Sequence, residues 1–153
     1  MKYFSFGMNT NVEQMQQRCP AAECLGSATL YNYQLVFRRH CDIEAVLGAH
    51  CDGVLWEISN DNLAALDLLE GYPDYYNRHT VEVYHYGMPL KAMVYQMSSP
   101  YPLQLPSSGY LEMVRQGYAA NELDLSQLAR ALGYTRSHLL DASALNQNAH
   151  VNQ

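Results

Sequence analysis

Strand-patterned segments crowd the chain as far as Met97, and helix-patterned segments follow a proline-bearing break at Ser98–Ser108. That order points to an α+β domain, with helices gathered beside one sheet. Met1–Phe6 reads as a first strand. Ala22–Arg39 alternates as one long strand or two joined strands. Leu30, Asn32 and Gln34 fall on one parity, and Tyr31, Tyr33, Leu35 and Phe37 on the other. His40–Asp52 is mixed and reads as a loop. Gly53–Ile58 reads as a strand, and Tyr76–Tyr86 with Leu90–Gln96 as a hairpin about the turn Gly87-Met88-Pro89.

Helical signals are local and chemical. Asn11 can cap a short helix over Val12–Arg18, which Pro20 closes. Ser59-Asn60-Asp61 offers cap chemistry for a helix over Asn62–Glu70, with Gly71 as its stop. Further helices are expected over Gly109–Ala120 and over Leu125–Leu132, between Asp124 as cap and Gly133 as stop. Thr135 then offers a cap for one more. Asn146–Gln153 is polar and reads as a flexible, frayed tail, which leaves a single domain over residues 1–145. A chain of 153 residues can bury one real core.

Composition narrows the function classes. The net charge is −6, and the only basic run, Arg38-Arg39-His40, is too short for a phosphate backbone and reads as a strand end in solvent. A nucleic-acid partner is not expected. No apolar run approaches the roughly 20 residues of a membrane span, and the N-terminus lacks the pattern of a secretory signal. A cytoplasmic protein with no membrane partner is expected, and the sequence sets no oligomeric state. Cys19, Cys24, Cys41 and Cys51 contain no CxxC pair, so free thiols, and no metal site, are expected despite the repeated His40-Cys41 and His50-Cys51. Thirteen tyrosines against three phenylalanines suggest half-buried rings with wet hydroxyls, or a cleft lined by them.

Two stretches carry chemistry. In Lys2–Asn11, KYFSFGMNTN, a buried strand runs into a turn whose backbone N–H groups either serve chain reversal or stay free for a ligand. In Leu66–His79, LDLLEGYPDYYNRH, Glu70 stands seven residues after Leu63 and four after Leu66. On a helix it continues their apolar stripe. It also sits at the helix C-terminus, where the macrodipole disfavours negative charge. Tyr72, Tyr75 and Tyr76 follow and can exclude water. Desolvation and the dipole would both raise its pKa, as proton transfer near neutral pH requires. The plain alternative is a carboxylate pointing outward from a fraying helix end. Asp67, on a neighbouring face, reads as structural, through backbone hydrogen bonds or Arg78.

Taken together these stretches resemble the gamma-glutamylcyclotransferase-like family. Tyr3–Asn9 is similar to its Tyr-Gly-Ser-Asn segment, and Leu66–Arg78 to its Leu-Asp-x-x-Glu-Gly segment with downstream Tyr and Arg. Gly26-Ser27-Ala28, Tyr33-Gln34-Leu35, Phe37, Gly53–Ile58 and Pro106–Leu111 with Gly117 extend the resemblance over residues 3–132. It implies a small mixed β-barrel flanked by helices, with one cavity. It also implies a cyclisation that needs no cofactor and no metal. The α-amine of a small-molecule γ-glutamyl substrate attacks its own γ-carbonyl, releasing 5-oxoproline and a free amine. By resemblance Glu70 is the catalytic proton carrier, and Phe6, Gly7, Met8, Asn9 and Tyr110 bind substrate. Phe6 stands where the family has Tyr, and Met8 where it has Ser. Two other uses of such a cavity are a non-catalytic module binding a small acid and an amide hydrolase with water as nucleophile. Residues 98–108 are a loop or a lid over it. Trp56 reads as core, and His79 and His85 as structural or exposed.

Overall fold

The computed structural model describes residues 1–151, with side-chain surroundings through residue 148. Five strands form a closed mixed barrel: β1 Lys2–Ser5, β2 Glu23–Arg38, β3 His40–Glu57, β4 Tyr76–His85 and β5 Met88–Met97. The strand order is β1-β3-β2-β4-β5. The β1–β5 pair is parallel, at Tyr3 opposite Met93, and closes the ring; the other pairs are antiparallel. Phe4, Phe37, Val54, Leu55, Val83 and Val94 of these strands are fully buried. The α+β reading and the barrel expectation hold. No helix among the described residues is long and apolar enough to cross a membrane.

The expected loop at His40–Asp52 is instead the first part of β3. Arg39 turns the chain with φ 70°, and β3 runs back along β2 with Phe37 opposite Cys41 and Leu35 opposite Ile43. Its middle is half-polar because residues 44–50 lie at or near the surface. The register shifts between Tyr31 and Tyr33, where residues 46–49 bulge and the Gly48 N–H donates to Asn32 Oδ1 (3.0 Å). Pairing with β2, rather than its own apolar alternation, makes this segment a strand. Arg38 is likewise not a solvent end: it is half-buried and pairs with Asp42 (3.2 Å) and Glu44 (3.0 Å). The β4–β5 turn falls at Tyr86–Gly87, both at positive φ, as a two-residue hairpin turn requires. Met88 and Pro89 therefore open β5 rather than form the turn.

Four helices attach to the barrel: α1 Val12–Arg18, α2 Asn60–Leu69, α3 Ser108–Ala120 and α4 Ser126–Val151. Asn11 caps α1 through the Gln14 N–H, and Ser59 and Asn62 exchange hydrogen bonds as a capping box on α2. Gly133 does not end a helix. Leu128, Ala131, Leu132 and Thr135 continue one buried face through it, so tertiary packing overrides the local stop. The α4 helix then runs on through the expected tail as far as Val151, and Asn152 and Gln153 lie outside the described residues.

The α3 helix fixes the turn that follows β1. Tyr118 donates to Phe6 O (2.6 Å), Asn121 Nδ2 to Thr10 O (2.9 Å), and Asn11 Nδ2 to Met113 O (2.9 Å). Such close approach needs Gly117, where a Cβ would fall 2.3 Å from Thr10 Oγ1 and 2.6 Å from Asn11 N. The segment before α3 is stitched to the end of β2: Arg39 N donates to Gln104 O (2.9 Å) and Gln104 N to Phe37 O (3.0 Å).

Candidate active site

A cavity of about 180 Å³ opens between the end of β1, the start of β3 and the end of α2. Glu70 lines it together with Phe6, Gly7, Met8, Asn9 and Tyr110, so the fold gathers the expected proton carrier and the expected binding residues into one hollow.

Three of these belong to the turn. Met8–Thr10 form one 3₁₀ turn, closed by Thr10 N donating to Gly7 O (3.0 Å) and Asn11 N to Met8 O (3.0 Å). The N–H groups of Gly7, Met8 and Asn9 precede the first donor of that turn. They find no backbone acceptor among the described residues. A Cβ on Gly7 would lie 2.8 Å from Cys41 Cβ and 3.2 Å from the Tyr110 hydroxyl, so glycine is demanded by packing against the facing wall. Asn9 is buried, and its carbonyl and side-chain amide are taken. Its carbonyl accepts from Ser5 Oγ (3.1 Å) and Trp56 Nε1 (3.1 Å), and its Nδ2 donates to Tyr3 Oη (3.0 Å) and to Glu70 Oε1 (3.2 Å). Trp56 is a core residue, as its strand position implies.

Glu70 caps the C-terminus of α2, its N–H donating to Leu66 O (2.8 Å). Leu66 is fully buried and Leu63 partly so; the apolar stripe carries the carboxyl inward. Burial pushes its pKa from the ordinary 4.5 up to about 7, opposed by the Arg18 guanidinium and the Asn9 hydrogen bond. Near neutral pH the group can both accept and return a proton.

Much of the remaining wall is tyrosine. Tyr76 donates to Cys41 O (2.6 Å), and the Tyr110 hydroxyl oxygen accepts from Cys41 N (3.0 Å). Burial raises both phenols well above their ordinary range, so they are neutral hydrogen-bonding walls. Burial likewise pushes the Cys41 thiol up to about 12, which makes it a packing group rather than a thiolate nucleophile. Tyr75 lines the cavity, but Tyr72 does not: its ring lies under Arg78, 4.4 Å from the guanidinium carbon. Asp67 has a structural place, accepting from Tyr95 (2.7 Å) and pairing with Arg78 (3.1 Å).

Arg18, His40, Tyr3 and Tyr95 also line the cavity and were not among the binding or catalytic residues expected from the sequence. For Arg18 a signal existed. It lies three residues after the fully buried Met15, on the inward face of α1. His40 meets the Tyr75 hydroxyl through Nδ1 (2.8 Å) and lies against the Tyr110 ring. Reading His40–Asp52 as a loop hid its position at the start of β3. Tyr101, in the segment before α3, lies against Tyr75 with ring centroids 5.5 Å apart.

Comparison with known proteins agrees with this geometry. The sequence profile of the family described as Gamma-glutamyl cyclotransferase, AIG2-like matches residues 3–114. A search of curated protein sequences returns no significant match. Among solved structures, one named gamma-glutamyl cyclotransferase is 25% identical over 86% of this chain and 85% of its own, with a TM-score of 0.78. The Homo sapiens protein loc79017 is 26% identical, covers 85% of each chain and also gives 0.78. YkqA from Bacillus subtilis is 20% identical over 87% of this chain and 54% of its own, at 0.75, and shares the fold.

Proposed function

The chain belongs to the gamma-glutamyl cyclotransferase, AIG2-like family, and on that premise we propose that it releases 5-oxoproline and a free amine from a small γ-glutamyl compound. The observation that carries this reading is Glu70. It is a carboxyl drawn into a tyrosine-walled hollow, with a pKa near neutrality, opposite unpaired backbone N–H groups.

The proposed reaction is an internal aminolysis. Glu70, as carboxylate, takes a proton from the substrate α-ammonium. The freed nitrogen attacks the γ-carbonyl carbon and a five-membered ring closes. The Gly7–Asn9 N–H groups receive the oxygen on which negative charge develops. As the old amide C–N bond breaks, Glu70 returns this proton to the leaving nitrogen, and the second proton shed by the ring nitrogen passes by the same carboxylate to the released amine, which departs as an ammonium. No water is consumed. Nucleophile and carbonyl share one molecule, so folding it into attack geometry can supply about 7–11 kcal/mol. Proton transfer by one carboxyl adds roughly 10²–10⁴-fold. The proposed setting is the cytosol.

The test is incubation with a panel of γ-glutamyl amines and amino acids, scoring 5-oxoproline by mass. The unmodified chain is expected to release it. Glu70→Gln is expected to fold and to lose roughly 10²–10⁴-fold in rate. Full activity in that variant excludes the proton carrier, and free glutamate as product would mark a hydrolase instead.

A further inference from the structure

Arg18 is the one arginine or lysine that lines the cavity, and the mechanism above leaves it unused. It is half-buried at the end of α1, and its Nη1 donates to Asn9 Oδ1 (2.6 Å). Arg18 forms no ion pair with any described carboxylate. A guanidinium has five N–H donors in a planar fork suited to a carboxylate. One is used here, and a cation in a partly dry wall gains from a counter-ion.

The Asn9 amide fixes where that counter-ion can sit relative to Glu70. Its oxygen accepts from Arg18, and its nitrogen donates to Tyr3 and Glu70. Turning the amide over would set its NH₂ against the guanidinium, so the orientation is locked. A cation and an acid therefore stand one amide group apart on the same wall. The ammonium and carboxylate of an amino-acid head group stand one carbon apart.

Building on the cyclotransferase reading, we propose that Arg18 binds the substrate α-carboxylate while Glu70 holds the α-ammonium. The pair thus selects γ-glutamyl compounds over amides of identical length that lack the α-carboxylate. Gripping both arms pins the α-carbon and leaves the γ-carbonyl free to swing toward the α-nitrogen and the turn.

The test compares γ-glutamyl benzylamide with 4-aminobutanoyl benzylamide, which differ only in the α-carboxylate and yield 5-oxoproline and 2-pyrrolidinone. The unmodified chain is expected to favour the first in kcat/KM by about 10- to 100-fold, the range of a charge-assisted hydrogen-bonded contact. Arg18→Gln should lower kcat/KM for the first substrate more than for the second, because any effect passed through Asn9 and Glu70 is shared by both, and bring the ratio toward one. Arg18→Lys should keep part of the preference. If Arg18 only orients Asn9, both substrates lose equally and the ratio stays, which overturns the proposal. If the unmodified chain releases neither lactam, the cyclotransferase reading fails separately. Calorimetric titration of the unmodified chain with L-glutamine and with 4-aminobutanamide then decides on the head-group site. Tighter binding of glutamine supports it, and equal affinity overturns it. The same titration decides if the Arg18 variants do not fold.

Discussion

Glu70 is costly where it stands, and the cost has a sign. Its folded pKa, about 7, lies above its ordinary 4.5, so the folded chain holds this proton more tightly than the unfolded chain does. The stabilisation is complete below pH 4.5 and is lost as pH rises through 7. Glu70→Gln is therefore expected to melt above the unmodified chain at pH 8 and close to it at pH 4.5, by at most about 3 kcal/mol. Thermal melts at the two pH values measure the difference; an equal gap at both denies the burial. In the proposed reaction the free enzyme must present the carboxylate, so kcat/KM should rise with pH through about 7. Burial and Arg39 hold the His40 pKa below its ordinary value, so its titration falls lower and does not account for that limb.

Two glycines in the late helices have opposite duties although they look alike in sequence. Gly117 lies where α3 meets the turn after β1, and a Cβ there would strike Thr10 and Asn11. Gly117→Ala is expected to cost about 1–3 kcal/mol by overpacking and to slow the proposed reaction by shifting the 7–9 turn. Gly133 sits inside α4 with open space around it. Gly133→Ala is expected to stabilise by about 0.8–1 kcal/mol, the helix-propensity difference. Denaturant melts of both variants check the contrast. If Gly133→Ala proves destabilising, α4 is not continuous there.

As one folded body, the protein uses only the start of α4. Gln127 both accepts from Asp52 N (2.8 Å) and donates to Asp52 O (2.9 Å), which ties the helix to β3, and Leu128 and Ala131 are buried. From residue 136 to 148 every side chain is exposed. A chain ended at residue 137 is expected to keep its melting point to within about 1 kcal/mol of stability, as for exposed positions. Leu128→Ala in the full chain should cost about 2–5 kcal/mol. Equal losses would mean that the distal helix is part of the cooperative unit.

How much of this was legible beforehand follows the range of the interactions. The sequence alone determined the caps at Asn11 and Ser59 and the apolar stripe that delivers Glu70, whereas the parities read along β2 are broken at Asn32, where the register shifts. The caps and the stripe each depend on neighbours within one or two turns, and side-chain period records such neighbours directly. It also located the turn at Gly7–Asn9, because a strand must end where glycine and asparagine interrupt it. Only the tertiary structure decided that residues 40–52 are strand, that α4 ignores Gly133, and that Arg18 and His40 face the cavity. Those outcomes come from pairing and packing partners far along the chain: β3 borrows its conformation from β2, and Arg18 and Glu70 reach the same Asn9 amide only because β1, α1 and α2 converge at one end of a closed barrel. No local period encodes such a meeting.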